Sequence, residues 1–108
     1  MRVRYDEDAR EELRSAVRWY EEERAGLGAR FHASVMATER LIAGAPSFHS
    51  ITDRVGDSLI RRALIPEFPY GLLYTEHDGG LWILAVMHLH RRPGYWQKRA
   101  RRVSQKPR

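Results

Sequence analysis

Apolar residues recur at helical spacing in two segments of the first half of the chain. The first segment follows Asp6 and Asp8, either of which can cap a helix. The second begins after Gly26-Leu27-Gly28 and ends at Gly44-Ala45-Pro46. Because so short a turn separates them, the two predicted helices form an antiparallel hairpin. Their apolar stripes consist of Ala9, Leu13, Ala16, Val17 and Tyr20, and of Phe31, Val35, Thr38, Leu41 and Ile42.

From Ser58 onward the apolar pattern changes to the period of β-strands. Segments rich in β-branched and aromatic residues predict strands over residues 59–65, 70–76 and 81–88. The last two segments flank Asp78-Gly79-Gly80, where glycine accepts a positive φ, and this predicts a hairpin turn. We therefore expect the three strands to form an antiparallel meander.

The complete pattern predicts one α+β domain. A short strand over residues 2–5 precedes the helices, which gives the order β-α-α-β-β-β. A helical hairpin packed on one face of a twisted antiparallel sheet buries both helical stripes. We expect the domain to span residues 1–99, with an irregular link at residues 47–57 and a basic, disordered tail at residues 100–108.

Charge is divided unevenly along the chain. Residues 1–78 carry 11 basic and 14 acidic side chains, whereas residues 79–108 carry 8 basic side chains and no acidic one. The net charge is therefore −3 in the first part and +8 in the second. A basic block of this kind attracts nucleic acid, an anionic surface or an acidic segment of another protein. A solvated tail that only aids solubility is the alternative interpretation.

Composition excludes several classes of function. The chain has no cysteine, which excludes disulfides, thiolate zinc sites and a cysteine nucleophile. Residues 1–8 are charged where a signal peptide is apolar, and no apolar run approaches the roughly 20 residues that cross a bilayer. We therefore expect a cytoplasmic protein with no membrane association and no cofactor.

Two adjacent arginines lie on the first strand of the predicted meander. Neighbouring strand residues point to opposite faces, so at most one of Arg61 and Arg62 lies under the helices. The exposed one offers bidentate donors to phosphate or carboxylate. A cross-strand ion pair with Glu76 or Asp78 is the alternative.

The segment after the last predicted strand is the densest polar and aromatic cluster in the chain. It combines imidazole and phenol groups for proton transfer, guanidinium groups for phosphate charge and rings for stacking. His88 and His90 alternate as a metal-binding pair would, but no carboxylate follows Asp78, so we expect no metal site. The alternatives are a structural His88 and an apolar plug of Tyr95 and Trp96. The candidate target-binding residues are Arg61, Arg62, His88, Arg91, Arg92, Tyr95, Trp96 and Arg99.

Several motifs occur together in a characteristic order over residues 2–99. They are Ala16 to Glu21, Gly26-Leu27-Gly28 with Phe31, Arg61-Arg62, Phe68-Pro69-Tyr70 with Tyr74, and Ala85-Val86 with His88, Arg91-Arg92 and Pro93-Gly94-Tyr95-Trp96. In this order and spacing the chain resembles the RelE/ParE family of type II toxins. The resemblance implies a helical hairpin against an antiparallel sheet. It also implies a cognate antitoxin, whose acidic-apolar segment wraps the toxin and whose other domain binds operator DNA.

The family contains two activities. RelE-like members cleave mRNA in the ribosome with lysines and arginines on the sheet and a tyrosine near the C-terminus, whereas ParE-like members trap DNA gyrase. In this chain the first lysine is Lys98, and Gly71 stands where many relatives carry a basic side chain. The Trp-Tyr-Glu and Pro-Gly-Tyr-Trp segments resemble the ParE branch. For a ribonuclease, the resemblance implies catalytic roles for Arg61, His88, Arg91 and Tyr95.

Three hypotheses about function follow from this resemblance. The first is a non-enzymatic inhibitor of DNA gyrase, the second a ribosome-dependent mRNA endoribonuclease, and the third an inactive family member that only binds its antitoxin. In each, toxin and antitoxin form a hetero-oligomer in which the acidic-apolar segment lies across the helical hairpin and the basic strand edge. The expected antitoxin-binding residues are Leu13, Val17, Tyr20, Phe31 and Val35.

Overall fold

A five-stranded sheet carries helices on both of its faces. The computed structural model describes residues 1–92 and 94–107. The elements are β1 (Val3–Tyr5), α1 (Glu7–Glu23), α2 (Leu27–Gly44), β2 (Ile51–Val55), β3 (Ser58–Leu64), β4 (Tyr70–His77), β5 (Gly80–His88) and α3 (Gln97–Ser104). The strand order is β1-β5-β4-β3-β2, in which β1 is parallel to β5 and the other neighbours are antiparallel. The predicted α+β class and β-α-α-β-β-β order are confirmed, with β2 and α3 as additions.

The helical hairpin of α1 and α2 is fixed by local hydrogen bonds at its start and at its turn. The side chain of Asp6 accepts a hydrogen bond from the Asp8 N–H and so caps α1. At the turn, the Gly28 N–H donates to Glu21 Oε1 over 3.0 Å. A Cβ at Gly28 would lie only 2.6 Å from the Val17 carbonyl oxygen, so glycine is required where the two helices approach each other.

A β-bulge in β5 gives the opposite face of the sheet its own apolar core. Leu73 is paired with Ala85 and Tyr74 with Ile83, so Leu84 is the extra residue in the β5 strand. Leu84 and Ala85 consequently both belong to the core on the face away from the helical hairpin. That second core is covered by α3.

The prediction of a disordered tail at residues 100–108 is wrong for most of that segment, because α3 continues to Ser104. Trp96, Ala100 and Val103 follow one another at helical spacing and are 4%, 0% and 1% exposed. These three apolar residues pack against the second core of the sheet and hold the helix in place. Arg108 lies outside the described residues.

The predicted irregular link at residues 47–57 contains strand β2, which pairs with β3 along one edge of the sheet. Four of its five residues are exposed. Because only its last residue, Val55, packs against a core, β2 lacks the alternation of apolar and polar residues that indicates a half-buried strand.

Candidate functional site

Arg61 and Arg62 lie on opposite faces of β3, as predicted, and have different surroundings. Arg61 Nη1 donates to the carbonyl oxygens of Ser47 and His49 over 3.1 and 2.7 Å, and so holds the segment before β2. Tyr74, on the same face, donates its hydroxyl to the Pro46 carbonyl oxygen over 2.8 Å. Arg62 is exposed on the α3 side, and among the described residues its side chain makes no ion pair or hydrogen bond. Arg61 is therefore a structural arginine, and Arg62 is open to a partner.

Gly71 determines where the Arg62 side chain lies. A Cβ at Gly71 would meet Arg62 Cγ at 3.2 Å and Cδ at 3.4 Å. The aliphatic part of Arg62 therefore crosses β4 at Gly71, which is paired with Met87 on β5. The resemblance to the RelE/ParE family leads one to expect a basic side chain at position 71, and the glycine there predicts a less basic sheet surface. In the fold, the same glycine gives the neighbouring arginine its place on the sheet.

Arg91 and Tyr95 stack on each other in the segment between β5 and α3. The Arg91 guanidinium carbon lies 4.2 Å from the centroid of the Tyr95 ring, within the range of a cation–π contact. The Tyr95 hydroxyl donates to Glu12 Oε2 over 2.9 Å. Burial and the neighbouring Glu12 carboxylate raise the pKa of the Tyr95 phenol above its ordinary range. Tyr95 is thus a protonated donor at neutral pH and a poor general base.

His88 points away from Tyr95 and takes part in a separate cluster. Its ring lies against Tyr70, with centroids 5.1 Å apart, and its Nδ1 accepts the backbone N–H of His90 over 3.1 Å. Successive strand residues alternate between faces, so His88 lies on the side of Val86, which belongs to the hairpin-side core. His88 therefore has a structural role, and the four residues proposed for a ribonuclease do not form one site.

Glu12 on α1 is the centre of a hydrogen-bond network that sequence reasoning missed. Arg99 Nη1 and Nη2 donate to its two carboxylate oxygens over 2.7 and 3.2 Å, and Tyr95 supplies a further donor. Glu12 Oε1 also accepts the Val86 N–H, while Arg99 donates to the Leu84 carbonyl oxygen. Because β1 ends at Tyr5, this part of the β5 edge has no strand partner within residues 1–92 and 94–107. Glu12 and Arg99 therefore form hydrogen bonds to the main-chain groups of β5 that a neighbouring strand would otherwise satisfy.

A second ion pair ties the C-terminal end of α3 to the start of α1. Arg102 contacts both carboxylate oxygens of Asp6, at 2.7 and 2.8 Å, and donates to Asp8 Oδ2 over 3.0 Å. These hydrogen bonds raise the pKa of Arg102 above its ordinary value. Asp6 is only 3% exposed, so the carboxylate that caps α1 is also an anchor for α3.

Two predicted target-binding residues are not at the surface. Trp96 is buried in the core beneath α3, on the face of the sheet opposite the helical hairpin. The Arg99 side chain is 12% exposed and paired with Glu12. Both residues hold α3 against the rest of the protein, so neither is available to a target.

The predicted antitoxin-binding stripe is instead part of the hairpin-side core. Leu13, Tyr20, Phe31 and Val35 are between 0% and 9% exposed and pack between the helices and the sheet. Val17 is only partly buried beside them. The sheet therefore packs against the apolar face of the hairpin and buries it, so a partner must bind elsewhere.

Three predicted residues remain at the surface on the α3 side and its adjoining turn. Arg62, Arg91 and Arg92 are exposed, and we call them the open cationic surface. β3 and β5 run in the same direction, so Arg62 lies near the end of the sheet from which the turn carrying Arg91 emerges. Pro93, which belongs to the predicted terminal motif, lies outside the described residues.

A groove of about 950 Å³ opens at the other end of the sheet. Arg61 and Arg101 contribute positive charge to its lining, and Asp57, Glu76 and Asp78 contribute negative charge. This mixture of signs gives it no preference for a polyanion. The groove is therefore distinct from the open cationic surface in both place and charge.

The described residues were also compared with the requirements of a metal site and of a membrane-spanning helix. Among residues 1–92 and 94–107, no three His, Asp or Glu side chains are grouped so that they could hold a metal ion. Within the same residues, no helix combines the length and apolar character of a membrane span.

Comparison with known proteins leaves the chain without an assigned family. No family model and no curated protein matches it.

Proposed function

We propose that the chain is the toxin of a type II toxin-antitoxin pair and that it inhibits DNA gyrase without catalysing a reaction, as ParE-like toxins do. In this proposal the protein acts in the cytoplasm and is held inactive in a hetero-oligomer with its cognate antitoxin. The observation that carries the proposal is the open cationic surface, in which Arg62 lies over Gly71 and Arg91 over Tyr95. The order of the sequence motifs, which resembles that of the RelE/ParE family, also supports the proposal.

The contacts favour this hypothesis over the ribonuclease hypothesis. In-line cleavage of RNA needs a group that takes a proton and cations that hold the phosphate at one place. Here Arg61 binds carbonyl oxygens of the segment before β2, His88 faces the opposite side, and Tyr95 is bound to Glu12. Arg91 alone of the four proposed catalytic residues stays available on the cationic surface. A binding role requires only exposed charge, which that surface has.

The open cationic surface suits an acidic or polyanionic target. Exposed guanidinium groups can donate two parallel hydrogen bonds to carboxylate or phosphate. Arg62 is supported by the strand below it and Arg91 by the Tyr95 ring, so both have part of their freedom already restricted. Such support lowers the entropy cost of binding.

A supercoiling assay with purified DNA gyrase tests the proposal. The wild-type chain should inhibit supercoiling at micromolar concentration, and the double variant Arg62→Gln, Arg91→Gln should require about 10-fold or more of the protein. The matched control is Arg14→Gln, Arg18→Gln, which removes the same charge from exposed positions on α1. That control should inhibit like the wild type.

Three results would contradict this assignment. Unchanged supercoiling with the wild-type chain removes gyrase as the target. Codon-phased cuts in mRNA from induced cells, seen by primer extension, would support the ribonuclease instead. If induction without the antitoxin leaves growth unaffected, the chain is the inactive family member of the third hypothesis.

A further inference from the structure

Three cations from distant parts of the chain meet at the end of the sheet that carries the turn between β4 and β5. The Leu81 N–H donates to the Arg2 carbonyl oxygen over 2.9 Å, which fixes the strand that carries Arg2 and Arg4. His77 Nε2 lies 3.1 Å from the Lys106 carbonyl oxygen and holds the segment after α3 beside the same turn. Hydrogen bonds to the main chain therefore bring the three cations together.

A tryptophan ring orients two of these cations. Arg4 is the register partner of Trp82 in the parallel pair of β1 and β5, so both side chains lie on the same face of the sheet. The Arg4 guanidinium carbon lies 5.6 Å from the Trp82 ring centroid, and Lys106 Nζ lies 5.0 Å from it. These cation–π contacts attract each cation to the ring, but they supply no negative charge.

The three cations line one cleft of about 280 Å³. Its walls contain Arg2, Arg4 and Lys106 together with a single carboxylate, that of Asp78, so the cations outnumber the carboxylate by two. Within residues 1–92 and 94–107, none of the three cations forms an ion pair. The cleft is therefore positively charged and has room for a ligand.

The arginines of α3 show what these cations lack. Arg99 is paired with Glu12, and Arg102 is paired with Asp6, so their charges are balanced by the protein itself. Like charges gathered around one cleft repel each other. A bound phosphate group would replace this repulsion by attraction, because its oxygens accept several charge-assisted hydrogen bonds at once. The balancing charge at the cleft is therefore expected to come from a ligand.

The size of the cleft selects a small anion. Pockets for drug-sized ligands enclose about 300–1,000 Å³, so this cleft lies just below that range. At about 30 Å³ for each water molecule, it has room for about nine waters, or for one or two linked phosphate groups with fewer waters. The Trp82 ring is already covered by Arg4 and Lys106, which disfavours stacking of a nucleic-acid base.

We propose that this cleft binds a small phosphate compound, of which inorganic pyrophosphate is the simplest example. The ligand lies between β1 and the segment after α3, away from the open cationic surface. The inference goes beyond the proposed function and does not rest on it. Because the ligand bridges two segments that are distant in the sequence, its binding should stabilise the folded chain by mass action.

The experiment is a titration of the full chain with pyrophosphate, followed by NMR at constant ionic strength. We expect saturable shifts of the Gly79 and Gly80 amides and of the Trp82 indole N–H, with no shift of the Gly71 amide beside Arg62. The midpoint of thermal unfolding should rise by about 5 °C or more at about ten times the dissociation constant. Equal shifts in a matched titration with sodium chloride, or shifts at Gly71 instead, would overturn the proposal.

Variants test whether the named cations hold the ligand. Arg4→Gln and Lys106→Gln should each weaken pyrophosphate binding about 10-fold. Both residues are exposed, so the variants should fold, and unchanged amide shifts elsewhere would show this. The matched control is Arg54→Gln, which removes an exposed cation from β2 and should leave binding unchanged. Equal affinity in all three variants would contradict the proposal.

A second probe separates a small phosphate compound from a nucleic acid. Single-stranded oligothymidylate, at the same concentration of phosphate groups, should shift the Gly79 and Gly80 amides less than pyrophosphate does. Tighter binding of the oligonucleotide at these amides would make the cleft part of a nucleic-acid surface and would overturn the proposal. None of these measurements involves gyrase, so their outcome is independent of the supercoiling assay.

Discussion

The basic C-terminal block is divided between two regions that use the same kind of side chain differently. Around α3, Arg99 and Arg102 are paired with carboxylates of α1 and hold the helix against the sheet. In the turn before α3, Arg91 and Arg92 are exposed, and with Arg62 they form the open cationic surface. A net charge of +8 over residues 79–108 therefore overstates the charge that a partner meets.

The difference between the two regions comes from burial. Removing one member of a buried, hydrogen-bonded pair leaves the other charged and poorly solvated, which is costly. An exposed arginine that loses its charge leaves nothing unsatisfied, so the protein's stability barely changes. Substitutions around α3 should consequently lower stability, whereas substitutions in the turn before α3 should lower binding and leave stability almost unchanged.

The largest expected effect is at Trp96, the buried anchor of α3. Trp96→Ala should lower the free energy of unfolding by about 3–5 kcal/mol, because it removes a large side chain from the second core. Urea unfolding followed by circular dichroism measures this loss. Trp19→Ala is the control, since Trp19 is 56% exposed, and it should cost less than about 1 kcal/mol. Similar losses for the two variants would mean that α3 is not docked.

A somewhat smaller effect is expected at Glu12. Glu12→Gln should cost about 3 kcal/mol, because Arg99 keeps its charge in a site where it is 12% exposed and loses its charged partner. The adjacent Glu11→Gln is the control. Glu11 is 57% exposed, and its ion pairs with Arg14 and Arg18 lie at the surface, so the free energy of unfolding should stay close to the wild-type value. If both variants unfold at the same urea concentration, the Glu12 network does not contribute to the free energy of unfolding.

The third-largest effect is expected from alkaline pH, which should lower the free energy of unfolding through ionisation of Tyr95. Burial and the Glu12 carboxylate raise the folded-state pKa of Tyr95 above the value of about 10 expected in the unfolded chain. The stability due to the protonated phenol is therefore fully present below about pH 10 and falls by about 1.4 kcal/mol per pH unit above it. Tyr95→Phe should show a shallower loss in urea unfolding over the same range. An identical pH dependence in the variant would contradict a role for the Tyr95–Glu12 hydrogen bond.

The smallest stability effect and a distinct binding effect are expected at Gly71. Gly71→Ala places a Cβ about 3 Å from Arg62 Cγ, but that side chain is flexible, so the free energy of unfolding should change by less than about 1 kcal/mol. The aliphatic part of Arg62 must then move by a few tenths of an ångström, which shifts its guanidinium group on the sheet. We expect weaker inhibition of gyrase at nearly unchanged thermal stability. A variant that inhibits as well as the wild type would show that the position of Arg62 is unimportant.

The sequence predicts the elements in which apolar residues recur at helical spacing or form runs of strong β-formers. The helical hairpin and strands β3 to β5 follow from such patterns, and Asp78 and Gly79 have the positive φ angles expected for the turn between β4 and β5. β2 packs against a core only through Val55 and α3 has a stripe of three residues among cations, so neither produces a clear pattern. For that reason the sequence pattern predicts irregular or disordered segments at both places.

The arrangement of the candidate site was less predictable than the fold. Glu12 joins Val86 and Arg99, which are 74 and 87 positions away in the chain, and no local pattern indicates such a contact. The alternation of strand residues correctly separates Arg61 from Arg62. It does not say which of them faces the helical hairpin, because either face of β3 carries apolar neighbours.

The most direct test of this division compares two double variants that each remove two positive charges. Arg62→Gln, Arg91→Gln should change the free energy of urea unfolding by less than about 1 kcal/mol, because neither residue has an ion-pair partner among the described residues. Arg99→Gln, Arg102→Gln should lower it by about 3 kcal/mol, mostly through Arg99, since Arg102 is half exposed and its pairs are screened. Equal losses in the two variants, or a larger loss in the first, would contradict the account.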